Sequence, residues 1–464
     1  MAAQTQGSVL APAPAGGPVA VPGGAGPVGR LSGPLARLRR AARTPPGRLR
    51  TAAAVLVALT LLFGVTAAWQ SADRAAAARQ LASRSEPLSQ DAAELYRSLA
   101  DADATAAAGF LMASAEPPEV HAQYQADLDT AARLIPQAAA RSGSSAEAQR
   151  LLAELGRQLP RYAGLVESAR AINREGLPLG GAYLRYASAY LQEEVLPNAQ
   201  RLADAEAAAL DGDYDAAAAV PWAALVLGVL LLGALGRYQV VLFRRTNRVF
   251  NPGLLTASAA VLTALVWTAA GTVAAGTGLH GARTQGIAPL RDLNRVRVEA
   301  LRAHTAEVLD LVSRGATKKF EGEWQALAGT LADPAGGAGS VAGLLAAPPD
   351  RARQQLADAR HWFEVWQQRH ATAGQLGAGS AKDAYEQALG ATLTPGRDDT
   401  ARAAFDAAGQ QWEQAARAEQ AAFEAAAGGI DGALGVQAAA AGLLAALAVG
   451  GTVRGLGRRL AEYR

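Results

Sequence analysis

A cluster of histidine and aromatic residues is the first candidate for ligand or metal chemistry in this sequence. His361 and His370 flank Trp362, Phe363 and Trp366. The two histidines are nine positions apart, so they do not share a helical face, and no further ligand pattern accompanies them. The spacing favours the alternative in which the three aromatic side chains fill a helical core and the histidines lie at its edge.

Two acidic pairs could in principle carry acid–base chemistry. They are Asp101 with Asp103, and Glu193 with Glu194. Paired carboxylates can transfer protons, but near neighbours on a helix diverge, and no nucleophile or base accompanies either pair. We therefore predict solvated surface charges. The sequence also lacks a phosphate-binding loop, a nucleophile elbow and a zinc-protease motif, so we expect no enzyme, no catalytic or metal site and no cofactor.

A tyrosine stripe is a third candidate. Tyr183, Tyr186 and Tyr190 recur at spacings of three and four, which places them on one face of a helix. Such a stripe could line a pocket for an organic ligand, contact a partner protein or pack in a core. The sequence leaves all three interpretations open, and it assigns no ligand-binding residue.

The most specific local feature is an arginine-rich loop. Arg237, Arg244, Arg245 and Arg248 lie in a segment without acidic residues, and the following residues 251–253 (Asn-Pro-Gly) have turn chemistry. These arginines can anchor the topology and contact the phosphates of membrane lipids. They can also form a docking site for a cytoplasmic protein, and both roles are compatible.

Four stretches without any Asp, Glu, Lys or Arg separate these candidate sites. A helix needs about 20 apolar residues to cross a hydrocarbon layer of roughly 30 Å, and each stretch is long enough. None holds an ionisable group in its middle, which counts against a coupled transporter. The sequence therefore predicts an all-α membrane protein with four transmembrane helices. The uncharged stretches are residues 51–72, 216–236, 249–279 and 432–453.

The charge of the connecting segments predicts the orientation. Residues 1–50 contain seven arginines and no acidic residue, and residues 454–464 contain four arginines against Glu462. By contrast, residues 73–215 carry a net charge of −8 and residues 283–431 carry −3. Because short arginine-rich segments stay cytoplasmic, we predict a multi-pass protein of the cell membrane with N- and C-termini inside and two large domains outside.

Both outside segments have the spacing of helical bundles. Apolar residues recur at alternating intervals of three and four over residues 152–169, 298–312 and 405–415, which is a coiled-coil seam. Proline and glycine breakers divide each segment into roughly four helices. We predict two extracytoplasmic up-down bundles like those of chemoreceptor sensors, each with its own core. Pro160 and Pro197 should kink a helix or mark a boundary.

The predicted organisation follows from these spans and charges. The segments are a disordered Arg/Pro/Gly-rich cytoplasmic tail (1–50), the first span (51–70), the first bundle (71–215), the second span (216–236), the cytoplasmic arginine loop (237–253), the third span (254–276), the second bundle (277–431), the fourth span (432–453) and a cytoplasmic tail (454–464).

The first span has two interpretations. Val65, Thr66 and Ala67 form a small-residue pattern like that of a signal-peptide cleavage site. The length of the uncharged run and the tail before it favour an uncleaved anchor. Residues 69–75 contain neither proline nor glycine, so this span is expected to continue outward as one long helix.

Composition excludes several function classes. The formal net charge is +3, but the excess of positive over negative charge is confined to the segments predicted to be cytoplasmic. No basic patch alternates with aromatic residues, so we expect no nucleic-acid partner. There is no cysteine and there are five histidines, which argues against structural zinc and thiol catalysis. Oligomer formation stays open.

The layout, the arginine-rich hairpin and the 244–255 segment together resemble the actinobacterial GlnX-type membrane proteins. That resemblance covers nearly the full length and implies a relay for an amino-acid signal. Its expected partners are an extracytoplasmic solute-binding lipoprotein and a soluble cytoplasmic Ser/Thr kinase. The resemblance assigns no ligand residue to a position in this chain.

Three functions are consistent with the sequence. The first is a non-enzymatic transmembrane sensor or relay whose outside bundles bind a protein partner. The second is a direct sensor of a small molecule bound between helices of one bundle. The third is a scaffold or accessory subunit of an envelope or transport complex, which would have constitutive partners and no ligand dependence.

Overall fold

The structure is a computed structural model, and every regular element it describes is a helix. The predicted tail 1–50 lies almost wholly outside the described residues, as does the C-terminal tail. Arg248 and residues 432–438 and 441 of the fourth predicted span also lie outside them. The described residues are 45–112, 117–143, 145–246, 252–283, 288–314, 318–333, 340–346, 350–379, 382–394, 396–427, 439–440 and 442–454.

The helices of the first half begin and end at the residues that the breakers indicate. Ser145 caps a helix by accepting a hydrogen bond from the Ala148 nitrogen at 3.3 Å. Gly143 and Gly176 follow helix ends with φ of 56° and 71°, a conformation that glycine adopts without strain. The elements are α1 (Pro45–Gln80), a π-helical turn (Leu81–Ser85), α2 (Glu86–Met112), α3 (Pro118–Ser142), α4 (Ala146–Arg174), α5 (Leu179–Tyr190), a second π-helical turn (Leu191–Val195) and α6 (Leu196–Ala218).

The second half repeats this layout with one helix that the sequence analysis did not anticipate. That helix is short, and the Ser340 hydroxyl caps it by accepting from the Gly343 nitrogen at 2.9 Å. The elements are α7 (Trp222–Thr246), α8 (Pro252–Ala282), α9 (Ala288–Ser313), α10 (Lys319–Ala332), α11 (Val341–Ala346), α12 (Arg353–Gly377), α13 (Ala384–Leu393), α14 (Ala401–Ala427) and α15 (Gly442–Arg454).

One helix joins the first apolar segment to the first bundle. α1, the π-helical turn and α2 follow one another without a break from Pro45 to Met112, as the absence of proline and glycine around residue 70 indicates. Pro197 marks a boundary, because α6 begins directly before it. α4, in contrast, continues past Pro160.

The apolar helices pack against one another. Among the described residues, three helices are long and apolar enough to cross a membrane, and α15 is a shorter apolar helix; by length and composition these helices indicate a membrane protein. Their shared core includes Phe63 of α1, Leu231 of α7, Val261 of α8 and Ala448 of α15. Residues 439–440 and 442–453 of the fourth predicted span are described, and Ala448 among them packs with the other three helices.

The helical bundle beyond the apolar helices has one core rather than two. Leu99 and Tyr162 of the first half belong to the same buried cluster as Val298, Trp366 and Trp412 of the second half. α2 packs along α9, and these contacts join the halves. The expectation of a separate core in each bundle therefore fails, because the apolar faces of α2 and α9 cover each other.

Gly451 permits a close contact between apolar helices. A Cβ atom at this position would lie 2.9 Å from the Gly253 carbonyl oxygen and 3.0 Å from the Ala257 nitrogen. Backbone atoms cannot move aside as a flexible side chain can. Gly451→Ala is therefore expected to destabilise the packing of α15 on α8 by about 1–3 kcal/mol. Thermal unfolding in detergent measures this, and Gly450→Ala, which has open space around it, is the control that should have little effect.

Candidate functional site

The interface between the two halves contains charged side chains and a cavity of about 660 Å³. α2 contributes Glu94 and Arg97, α9 contributes Arg297, and α14 contributes Glu413. Arg97 pairs with Glu94 and lies 3.6 Å from Asp101. Both of these ion pairs join residues of α2 itself, so they hold Arg97 in place at the interface without linking the two halves.

Arg297 is the least compensated of these charges. It forms no ion pair within the described part of the chain. Burial first, and then repulsion from Arg97, lower its pKa, although Glu413, Glu94 and Asp101 oppose this. Burial therefore makes the charged form of this side chain less favourable than it is in water.

Replacing Arg297 by methionine tests this imbalance. We expect Arg297→Met to increase the stability of the protein by about 1 kcal/mol, because it removes a poorly compensated buried charge and keeps an apolar stem. Thermal unfolding in detergent is the measurement. Arg295→Met changes an exposed arginine of the same helix and should leave the unfolding temperature nearly unchanged. A loss of stability in Arg297→Met would mean that its three neighbouring carboxylates outweigh the cost of burial.

A carboxylate pair lies beside this interface. Burial first, and then the neighbouring Asp101 carboxylate, raise the pKa of Asp127 to about 8. Gln123 donates to one oxygen of Asp127 at 3.1 Å, and the other oxygen accepts no hydrogen bond from any described residue. A protonated Asp127 avoids placing two negative charges together.

Asp103 differs most from its predicted role. Its side chain is not solvated, since only 2% of the residue is exposed. It accepts hydrogen bonds from the Ser188 hydroxyl at 2.7 Å, the Tyr162 hydroxyl at 3.2 Å and the Gln192 amide at 3.2 Å. Burial raises the pKa of Asp103 against the effect of these three donors. The prediction was wrong here because the helix face that carries Asp103 packs against α4 and α5. Glu193 and Glu194 are exposed, as predicted.

The Asp103 network reaches a second cavity between the halves. Gln192 belongs to the second π-helical turn, and such turns often occur at functional sites. Ser188 and Gln192 line a cavity of about 550 Å³ together with Arg302 and Lys319 of the second half. A ligand or a conformational change in this cavity would act directly on the hydrogen bonds of Asp103.

The second half has its own buried polar cluster, centred on Glu307. Glu307 is 3% exposed and accepts hydrogen bonds from His304 Nδ1 at 3.0 Å, His370 Nδ1 at 2.9 Å and Trp366 Nε1 at 3.0 Å. His370 Nε2 also bonds Glu321 at 3.2 Å. A carboxylate with three donors is a stable anion, and the imidazole of His370 bridges two carboxylates.

The aromatic residues around this cluster agree in part with the sequence analysis. Phe363 and Trp366 are buried in the core, as predicted, and Trp362 is partly buried against it. His361 is exposed, but His370 is not merely at the edge. Its ring stacks on Trp324 at 3.5 Å, and its nitrogens hold Glu307 and Glu321. Among the described residues no group of side chains has the geometry of a metal site.

Beside the Glu307 cluster lies a cavity of about 480 Å³. α9, α10, α12 and α13 line it, at the end of α9 that is remote from the apolar helices. Asp310, Arg314 and Tyr385 face it together with Glu321 and His370. It combines both signs of charge with apolar surface, which is typical of a site for a small polar ligand.

The tyrosine stripe does not form a pocket by itself. Tyr190 is buried, with the guanidinium of Arg161 over its ring at 4.6 Å. Tyr183 and Tyr186 are exposed. Of the three interpretations left open by the sequence, packing in a core is correct for Tyr190. The exposed Tyr183 and Tyr186 are available for contact with a partner protein.

The structure describes part of the arginine loop. Arg237 and Arg244 are exposed on the end of α7 that points away from the bundle. Arg245 lies in the same helix, but its side chain is not described, and Arg248 is outside the described residues. The structure does not bring these arginines together with the buried clusters.

The sequence offered weak signals for the residues that were missed. His304 and Glu307 are three positions apart and so share a helical face. Asp103 stands in an alanine-rich run of α2, where a solvated face would carry more polar residues. Arg314 and Asp310 gave no signal, because they meet residues more than 50 positions away.

The described residues form an all-helical fold that combines apolar helices of membrane-spanning length with a polar bundle that contains cavities. Part of the chain is similar to a known protein family. Residues 77–215 match the family model described as the actinobacterial sensor domain. The match runs from the end of α1 to α6 and includes the Asp103 network, and it supports an actinobacterial sensor protein. No curated protein and no solved structure is detectably similar to the chain.

Proposed function

We propose that this chain is a non-enzymatic transmembrane sensor that passes an extracytoplasmic signal to a separate cytoplasmic protein. The observation that carries the proposal is the unbroken helical path from Pro45 to Met112. Its inner part is apolar enough to cross a membrane, and its outer part belongs to the segment that matches a sensor domain. A displacement of the outer part is therefore transmitted along the helix axis.

Arg74 supports this coupling at the point where the bundle meets the apolar helices. Its Nε donates to the Ala217 carbonyl oxygen at 3.1 Å, and its Nη1 donates to the Thr272 hydroxyl at 3.2 Å. The side chain thus ties α1 to the end of α6 and to α8. A shift of α1 against either helix must break or move these bonds, so the helices move together.

The arrangement that we propose has four membrane spans and both termini in the cytoplasm. In this arrangement the arginine loop around Arg237 and Arg244 lies on the inner side, where it contacts anionic lipids and is available to a cytoplasmic partner. The resemblance to the GlnX-type proteins favours a solute-binding lipoprotein as the outer partner and a Ser/Thr kinase as the inner partner.

Ligand-dependent capture tests the proposal. The detergent-solubilised protein is used to capture solute-binding lipoproteins of the same cell, with and without amino acids. We expect at least one lipoprotein whose capture changes with an amino acid. Constitutive capture that no ligand alters would favour the scaffold function instead, and lower abundance of an envelope complex after gene deletion would point the same way.

An Arg74 variant tests the coupling step. Arg74→Ala is expected to keep capture of the outer partner and to abolish the ligand-dependent phosphorylation by the inner kinase. Arg79→Ala is the matched control, because Arg79 lies on the same helix and, among the described residues, bonds the Ala75 carbonyl oxygen of its own turn at 3.1 Å and no other helix. Ligand-dependent phosphorylation that persists in Arg74→Ala would contradict the coupling role.

Direct sensing of a small molecule is a second candidate, and the cavity beside Glu307 favours it. That cavity lies in the second half, outside residues 77–215. The two candidates are compatible if the halves receive different signals.

A further inference from the structure

The backbone of Arg314 points to a role for its side chain. α9 ends at Ser313, and Arg314 follows it with a φ of 53°. Glycine is the usual residue after a helix end in this left-handed conformation. Gly143 and Gly176 occupy such positions in the first half. Among the residues that the structure describes, Arg314 is the one non-glycine residue with a positive φ. Backbone strain of this kind concentrates at functional sites.

The strained backbone directs the guanidinium of Arg314 into the 480 Å³ cavity. The guanidinium carbon lies 4.9 Å from the centre of the Tyr385 ring. The Tyr385 hydroxyl donates to the Leu311 carbonyl oxygen at 3.2 Å, which fixes the ring. No carboxylate in the described part of the chain forms an ion pair with Arg314. Its charge is therefore positioned but not neutralised.

The carboxylates of the cavity fall into two kinds. Glu307 and Glu321 already accept hydrogen bonds, because His370 bonds both carboxylates and each accepts from a further donor as well. Asp310 has no described donor to its carboxylate; only its backbone oxygen accepts, from the Ser313 hydroxyl at 2.8 Å. Burial, and then the nearby Glu321, raise the pKa of Asp310. An incoming cation would relieve both effects.

An available cationic group and an available acidic group thus face one small cavity without pairing with each other. Asp310 and Arg314 are four positions apart on the same helix end, a spacing at which ion pairs commonly form. No ion pair joins them among the described residues, and Arg314 lies beyond the end of α9 in a left-handed conformation rather than on the helix face. Tyr385, together with the small residues of α12 and α13, supplies an apolar wall.

We propose that this cavity binds a small zwitterion with the chemistry of a free α-amino acid, whose carboxylate pairs with Arg314 and whose ammonium pairs with Asp310. The proposal rests on the direct-sensing form of the function above. It places a ligand site in the second half, which the sensor-domain match does not cover.

Calorimetry on the full-length protein in detergent tests the proposal. The probes are the standard L-amino acids, with propionate and propylamine as analogues that lack one of the two charged groups. We expect saturable binding of at least one amino acid and at least about tenfold weaker binding of both analogues, because each lacks one charged hydrogen-bonded contact. If no amino acid binds, or if an analogue binds equally well, the proposal is wrong.

Arg314→Gly separates binding from folding. Glycine relieves the strain at a φ of 53°, so this variant should unfold at a temperature no lower than the parent, yet lose at least about tenfold in amino-acid affinity. Asp310→Asn should lose affinity similarly. Arg360→Gln, which changes an exposed arginine of α12 paired with Glu364, should bind like the parent. Unchanged binding in Arg314→Gly would overturn the proposal.

These outcomes are distinct from those of the capture experiment. Amino-acid-dependent capture of a lipoprotein by a protein that binds no amino acid itself would leave the sensor function standing and remove this site. Direct binding without any change in partners would do the reverse.

Discussion

Glu307→Ala is expected to destabilise the helical bundle by about 3–5 kcal/mol. Glu307 is buried and accepts from His304, His370 and Trp366. Removing the carboxylate leaves three donors without an acceptor, two of them on imidazoles, and it opens a void in the core. Few single changes outside the apolar core should cost as much.

Thermal or denaturant unfolding of the solubilised protein measures this effect. Glu364→Ala is the matched control, because Glu364 is an exposed glutamate of α12 whose partner is Arg360 at 2.8 Å. An exposed ion pair contributes about 0–1 kcal/mol, so the control should unfold close to the parent. Equal stabilities of the two variants would show that the Glu307 hydrogen bonds are not maintained in solution.

The same cluster predicts a pH dependence. Burial alone would raise the pKa of Glu307, but the hydrogen bonds from His304 and His370 outweigh it and lower the pKa to about 2. Its contribution to stability is therefore present above the ordinary glutamate value of 4.5 and is lost as the pH falls toward 2. Burial lowers the pKa of His370, but the bonds to Glu307 and Glu321 raise it above 6.5 overall.

For His370 the dependence of stability on pH has the opposite sign. Its contribution is fully present below 6.5 and is lost as the pH rises through its folded pKa. The cluster should therefore stabilise the fold most between about pH 4.5 and 6.5. Unfolding temperatures over a pH series should show this maximum in the parent and a flatter profile in Glu307→Ala. If the profiles of the parent and Glu307→Ala were parallel, the Glu307 cluster would not be the source of the maximum.

Asp103→Ala is expected to destabilise the first half by about 2–3 kcal/mol, because Ser188, Tyr162 and Gln192 would lose their shared acceptor. Asp103→Asn keeps the shape and one acceptor, so its cost should be smaller. Asp129→Ala, at an exposed position of α3, is the control within the same half.

Asp103 and Glu307 should affect the pH dependence of stability in opposite directions. Burial raises the pKa of Asp103 above the ordinary 3.8, so the folded state holds the proton more tightly than the unfolded chain. Stability should fall as the pH rises from 3.8 through the folded pKa, and Asp103→Asn should remove that fall. If the parent and Asp103→Asn showed the same profile, Asp103 would not titrate in the fold.

The helices themselves could be predicted closely from the sequence. The apolar spacing over residues 152–169 and 405–415 marks the faces that are buried in α4 and α14. Gly143 and Gly176 mark helix ends for a local reason, since glycine accepts a left-handed conformation. These features depend on residues within a few positions of each other, so a linear pattern reveals them.

The functional clusters could not be predicted in the same way. His370 and Glu307 are 63 positions apart, and Asp103 and Ser188 are 85 apart. A helical pattern shows that Asp103 lies on some face of α2, but not which helix covers that face. Burial changed the predicted solvated charge into the centre of a hydrogen-bond network.

The sequence by itself determined the helical class, the apolar segments and most helix ends, because hydrophobic spacing and backbone freedom are local properties. The tertiary structure alone decided that the two halves share one core, and which polar groups meet inside it. It also decided that Arg314 and Asp310 face one cavity. These outcomes depend on how helices pack across long separations in the chain, where side-chain shape and the need to satisfy buried polar groups select the partners.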